Sequence, residues 1–185
     1  MRLVCNVMKV ASWDIGIKHL ALCILEQSGA MEAPKICRWE LVSLSGKGLA
    51  EIVRSLFGIL QERAHEWKSC DRFLIERQAG LNRKMSVVSH CMQMWCLCND
   101  IPASFCDPRA KLGVFEGDPL PVKLPNDKYA RTKALAKWHA QRFLDRTHAG
   151  TPFEGSLRRA VKSDDLSDAL SQGLSWLNTN LELAL

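Results

Sequence analysis

Residues 12–25 read SWDIGIKHLALCIL. The apolar run over residues 7–15 (VMKVASWDI) stops at Gly16, and a second run covers residues 20–27 (LALCILEQ), ended by Ser28 and Gly29. Apolar runs of this length bounded by glycine turns predict strands, and a connection this short predicts antiparallel pairing. Residues 36–42 (ICRWELV) alternate apolar and polar and predict a third strand of the same meander. Asp14 closes the first strand beside the turn, a place that suits either a turn residue or a ligand.

Working outward, apolar residues at Leu49, Ile52, Val53, Leu56, Phe57 and Leu60 recur with helical period and predict an amphipathic helix over 48–67. Residues 72–76 (RFLIE) predict a short buried strand, with a polar break at 78–84. Residues 85–99 are apolar almost all round and predict a buried helix; 101–106 predict a fifth strand. Four prolines make 107–127 a loop. A basic helix is expected over 128–147, a second basic loop over 148–161, and a last helix to 176 with Ser163 as its N-cap. The order β-β-β-α-β-α-β-α-α predicts an α/β fold: a five-stranded mixed sheet, three strands antiparallel and then parallel, with helices on both faces.

The chain has 185 residues, 47% apolar and 24% charged. That composition fits one globular domain over 1–185 and excludes wholesale disorder. No apolar run reaches the roughly 20 residues of a bilayer span, so no membrane partner is expected. Few residues precede the first apolar run and no small-residue cleavage site follows it, so no signal peptide is expected. The eight cysteines form no CxxC pair, and Cys91, Cys96 and Cys98 are poorly spaced for zinc. Most sit in apolar runs and read as core thiols, which places the protein in an intracellular, reducing compartment.

The net charge is +5. Nine basic residues lie between 128 and 162 (Lys128, Arg131, Lys133, Lys137, Arg142, Arg146, Arg158, Arg159 and Lys162), against only Asp145 and Glu154. A basic segment on a near-neutral body is either a polyanion footprint or a solvated helix face.

Acidic residues stand where this topology can gather them. Asp14 ends the first strand, Glu76 ends the fourth, and Asp164, Asp165 and Asp168 open the last helix. Residues 165 and 168 share a helix face, as do 164 and 168. Carboxylates at buried strand ends are costly unless a cation neutralises them, and an all-oxygen ligand set selects Mg²⁺ or Mn²⁺ over zinc. Two such ions could activate water and stabilise a leaving oxygen in phosphodiester hydrolysis. Each acid also has an ordinary reading: Asp14 as a turn residue, Asp164 and Asp165 as helix-dipole acids, Glu76 paired with Arg77.

SWDIGIKHLALCIL, FLIERQAGLNRKM and KSDDLSDALSQGL resemble, in order, the three motifs of RuvC-like Holliday-junction resolvases, most nearly the poxvirus, iridovirus and fungal-mitochondrial branch. The matches run from residue 13 to 176. The resemblance implies an RNase H-like fold and a homodimeric Mg²⁺-dependent endodeoxyribonuclease, with two ions per site and Mn²⁺ able to substitute, that nicks four-way DNA junctions in pairs. It implies no small-molecule cofactor. Asp14, Glu76, Asp165 and Asp168 match the family's catalytic, metal-binding acids, with Asp164 an adjacent acid. Lys162 matches the lysine before the acidic pair. The family's further catalytic lysine falls in NDKYARTK, where Lys128 is preferred to Lys133. His19 departs from the family's asparagine. A viral replication site in the cytoplasm, a nucleoid or a mitochondrion would suit such an enzyme.

The expected DNA-binding set is Lys18, Arg77, Arg83, Lys84, Arg131, Lys133, Arg158 and Arg159, placed around the acids. The helix over 85–99, with Val88, Met92, Met94 and Trp95, is too apolar for one buried face. It reads as a dimer surface or as a central helix covered on all sides. Alternatives to the junction nuclease are an RNase H-like nuclease acting on RNA or RNA–DNA hybrids, and a catalytically silent module that binds branched DNA.

Overall fold

The computed structural model describes residues 7–29, 32–78, 82–109, 124–160 and 162–182. Three antiparallel strands, β1 (Met8–Asp14), β2 (His19–Gln27) and β3 (Lys35–Ser43), are followed by α1 (Leu49–Glu62) and α2 (Ala64–Lys68). Then come β4 (Arg72–Glu76), α3 (Arg83–Cys98), β5 (Ala103–Cys106), α4 (Lys128–Thr147), α5 (Pro152–Arg159) and α6 (Ser163–Glu182). The sheet order is β3-β2-β1-β4-β5, with β4 parallel to β1 and β5 parallel to β4. The expected mixed sheet is therefore present.

Strand periodicity sorts the core into two layers. From β1 and β4, Ala11, Trp13, Phe73 and Ile75 face α1, α2 and α3. Val10 and Leu74 face α4, α5 and α6, with Leu144, Leu157, Leu166 and Leu170 over them. Both faces of the central strands are covered, which is why they read as nearly unbroken apolar runs. The indole N–H of Trp39 donates to the Leu166 carbonyl at 2.8 Å, tying β3 to the first turn of α6.

The structure corrects several boundaries, among them the end of the last helix, which runs to Glu182 and not to 176. The helix expected over 48–67 breaks at Arg63, whose guanidinium is held by Glu40 and Glu66 at 2.8 and 2.9 Å and lies over Trp67. The break lets Trp67 swing fully into the core, its N–H donating to the Leu60 carbonyl at 3.0 Å. The basic loop expected over 148–161 contains α5. Proline is tolerated at a first helical position, and Phe153 and Leu157, four apart, pack into the core layer beneath α5. The fifth strand begins only at Ala103, and Ser163 lies inside α6 rather than ahead of it. The expected loop over 107–127 falls largely outside the described residues.

Of the described cysteines, all free thiols, Cys23, Cys70 and Cys96 are buried as expected, but Cys37 and Cys98 are exposed. Among the described residues no helix is long and apolar enough to cross a membrane.

His148, 8% exposed, joins three elements. Its Nε2 accepts from the Ile36 backbone N–H at 3.0 Å, so Nδ1 carries the proton and donates to Thr147 Oγ1 at 2.6 Å. The Thr147 hydroxyl in turn donates to the Phe143 carbonyl at 2.7 Å. The ring also lies against Phe143 and Phe153. Burial, then the Lys35 charge, pushes the imidazole below its ordinary value of 6.5.

Two outcomes follow from this packing. A Cβ at Gly173 of α6 would fall 2.8 Å from Leu25 Cδ1 and 3.3 Å from Ser12 Cβ. Gly173→Val is therefore expected to lower stability by about 1–3 kcal/mol, read from urea unfolding. For His148, the folded state binds its proton less readily than the unfolded chain, so its contribution is complete above pH 6.5 and shrinks as pH falls through 6.5 toward the depressed value. His148→Gln should be less stable than wild type at pH 7.5, with the gap narrowing by pH 5 in urea titrations. A constant gap would show that His148 does not titrate between these limits.

Candidate active site

The register of β1 and β4 places the first two acids. Trp13 lies opposite Ile75 across the parallel pair, and Asp14 and Glu76 each follow by one residue. Both continue the even-numbered face, the one covered by α6, and so emerge at the same end of the sheet. Helix α6 crosses that face close to β1: Gln172 Nε2 donates to Ser12 Oγ at 3.1 Å and to the Trp13 carbonyl at 3.3 Å. One turn earlier on α6, Asp168 reaches the same end.

A cleft of about 830 Å³ opens there. Asp14, Glu76, Asp165 and Asp168 line it, together with Lys18, Arg109, Lys128, Lys133 and Lys162. Four of the five predicted acids thus meet in one cavity. Glu76 and Asp168 are nearly buried, at 9% and 6% exposure. Gln78 Nε2 donates to Glu76 Oε2 at 2.9 Å. Arg77, read from sequence as a possible partner of Glu76, is exposed and follows it on the opposite strand face.

Asp164 does not line the cleft. It is instead the nearest partner of Lys133, whose Nζ lies 2.8 Å from Asp164 Oδ2, 3.5 Å from Asp165 Oδ1 and 3.7 Å from Asp168 Oδ2. Burial works against the Lys133 ammonium, but the hydrogen bond it donates to Asp164 and the charges of Asp168, Asp164 and Asp165 outweigh it and raise its pKa. Burial likewise opposes the charged form of Asp164, and the Lys133 hydrogen bond and charge hold it below its ordinary value. Lys128, preferred from sequence as the further catalytic lysine, stands on the cleft wall. Lys133, the alternative, reaches the carboxylates, because it lies one and a half turns further along α4, where that helix packs on α6.

Lys162 Nζ lies 3.6 Å from Asp165 Oδ2. Of the expected DNA-binding residues, Lys18, with Lys133, lines the cleft, whereas Arg77, Arg83, Lys84, Arg131 and Arg159 are exposed and do not line it. The Arg158 side chain lies outside the described residues. Several cleft residues were not singled out in the sequence, Ile15, Ile17 and Pro108 among them. Tyr129 and Thr132 lie on α4 inside the basic segment, and Arg109 and Met85 flank stretches read as loop or polar break. Gln172, which fixes α6 to β1, carries no local signal, since its partners are some 160 residues away.

Among the described residues, no group of three or more His, Cys, Asp or Glu side chains is arranged to hold a metal ion as it stands. The acids at the start of α6 gather around the Lys133 ammonium instead. The donor set is nonetheless all oxygen, and a cation already sits among three of the carboxylates, so the residues fit a hard divalent cation once that ammonium moves.

A five-stranded sheet of this order, with helices on both faces, defines an RNase H-like α/β fold of the RuvC type. RuvC of Thermus thermophilus in complex with a Holliday junction substrate matches with a TM-score of 0.64 and 18% identity over 94% of this chain and 96% of that one. The fowlpox virus Holliday junction resolvase matches with TM-scores of 0.65 in complex with substrate junction DNA and 0.64 in a second structure. Identities there are 16% and 18%, over 94% of this chain and 99% and 100% of the resolvase. The sequence itself matches no family profile and no curated protein.

Proposed function

We propose that this protein is a metal-dependent endonuclease that resolves four-way DNA junctions. The observation that carries the reading is the cleft itself: β1, β4 and α6 each deliver carboxylates to one cavity rimmed by Lys18, Arg109, Lys128, Lys133 and Lys162. The solved proteins of the same fold bound to Holliday junctions support the choice of substrate. The three ordered motifs support a place in the poxvirus, iridovirus and fungal-mitochondrial branch. Exposed thiols at Cys37 and Cys98 fit work in a reducing compartment.

In this reading Asp14, Glu76, Asp165 and Asp168 hold Mg²⁺ or Mn²⁺. The bound cations would supply an activated water and charge stabilisation for the leaving oxygen. The chain's own contribution is placement. The sheet fixes Asp14 and Glu76, Gln172 fixes α6 against β1, and the lysines on the rim hold the phosphate backbone over the acids. Phosphate contacts give affinity without sequence information, so binding should weaken steeply with salt.

A junction needs two opposed nicks, and a twofold protein pair matches its approximate symmetry. We place the pairing surface on α3, with one change from the sequence reading. Met92 and Trp95 are core side chains, at 0% and 7% exposure, packed with Val88 against the sheet. The surface is the opposite stripe, where Val87, Met94 and Leu97 are exposed at helical spacing. Apolar side chains grouped on one exposed face mark an interaction surface.

Asp14→Asn, Glu76→Gln, Asp165→Asn and Asp168→Asn are each expected to slow cleavage about a thousandfold or more and to leave junction binding intact. The assay compares a labelled four-way junction, a flap, a duplex and an RNA–DNA hybrid in Mg²⁺, with binding followed in Ca²⁺. Preferential cutting of the hybrid would move the protein to the RNA-directed nucleases of this fold. Binding without cleavage of any substrate by the wild type would make it a silent junction-binding module.

Met94→Glu combined with Leu97→Lys should give a folded monomer whose nicks are no longer paired, read by sedimentation, circular dichroism and a cruciform plasmid assay. Trp95→Glu, in contrast, should unfold the chain. A folded double variant that remains dimeric would put the interface elsewhere.

A further inference from the structure

The start of α6 carries three carboxylates, and the protein supplies their counter-charge itself. The Lys133 ammonium lies within 4 Å of all three: 2.8 Å from Asp164, 3.5 Å from Asp165 and 3.7 Å from Asp168. Its side chain is only 23% exposed. An ammonium offers three donors and one positive charge, which suits a place among three carboxylate oxygens. Lys162 approaches Asp165 as well, but from a half-exposed position and at 3.6 Å. Lys133 is therefore the group most deeply committed to the cluster.

We propose that Lys133 is an internal counter-cation that occupies the acidic cluster in the metal-free protein, and that a divalent cation binds there only by displacing it. This inference rests on the metal-site reading above and goes beyond it, because it assigns the lysine a role in setting the metal affinity of the free protein. A divalent ion and an ammonium held by the same carboxylates would lie a few ångströms apart, where like charges repel strongly at a partly buried site. Part of the cation's binding energy is consequently spent on releasing the lysine, and the two occupants weaken each other reciprocally.

The structure also offers the lysine somewhere to go. Tyr129, one turn earlier on α4, is 72% exposed and lines the cleft, and its ring centroid lies 5.7 Å from Lys133 Nζ. A change of side-chain rotamer toward that ring keeps a favourable cation–π contact and leaves the ammonium facing the cleft.

The test measures Mn²⁺ binding to the 185-residue chain without DNA, by calorimetry. Lys133→Gln should bind Mn²⁺ about tenfold or more tightly than wild type, and Lys133→Arg, which keeps the charge, should not. Lys137→Gln, which removes an equal charge from an exposed position on the same helix, should change affinity by less than about threefold. A merely structural role for Lys133 would move the result the other way, since a disordered site binds more weakly. Unchanged or weaker binding in Lys133→Gln overturns the proposal, as does an equal gain in Lys137→Gln.

If neither wild type nor Lys133→Gln binds Mn²⁺, the metal-site reading itself fails. A second measurement needs no variant. In reductive methylation followed by peptide mass spectrometry, Lys133 of the wild type should be protected without metal and reactive in saturating Mg²⁺. Equal reactivity in the two states, in a sample that calorimetry shows to bind metal, would overturn displacement.

Discussion

β1 and β4 run parallel with Trp13 opposite Ile75, and both strands are buried on two sides. That pairing decides where chemistry can occur. It brings the backbone of two segments some 60 residues apart to the same level and points Asp14 and Glu76 out of the same face. A one-residue slip would turn one carboxylate into the opposite core layer. Trp13 and Phe73, packed together with Trp67 at centroid separations of 5.4–6.0 Å, hold the register from the far side.

Helix α6 is the second part of the same constraint. It lies close to β1 because Gly173 has no side chain there and because Gln172 satisfies Ser12 and the Trp13 carbonyl. The close approach brings Asp165 and Asp168 over the strand ends. It also concentrates negative charge in a partly buried place, a costly arrangement without compensation. Lys133 from α4 supplies part of that compensation. The position of α4 is thus coupled to the electrostatics of α6, and the aromatic ring of Trp39 secures the same helix from the β3 side.

Helix α3 shows how an apolar helix divides its surface. Val88, Met92, Trp95 and Cys96 fill the layer beneath the sheet, while Val87, Met94 and Leu97 face outward. From composition alone every one of these residues is a candidate for either role. Only the direction in which the helix packs on the sheet and α1 separates them, and that direction depends on residues distant in the chain.

Much of this protein was legible along the chain. Unbroken apolar runs marked β1, β2 and β4 as strands, and helical spacing marked α1. Asp14, Glu76, Asp165 and Asp168 stood out only together, through the order of the elements and the three motifs, since each alone has an ordinary reading at a turn, a strand end or a helix start. Helix α5 was hidden, since Pro152 and Gly155 are read locally as breakers and only Phe153 and Leu157 are apolar there. The break at Arg63 was hidden as well, because the carboxylate that helps to hold it, Glu40, comes from another strand. That Lys133 contacts the acids of α6 while Lys128 stands on the cleft wall, and that Asp164 lies apart from the cleft, required the docking of α4 on α6. Local sequence determines periodicity, turns and anomalous charge, because those depend on neighbours within a few residues. Which charges meet was decided only by tertiary packing, because Coulomb interactions act through space and not along the chain.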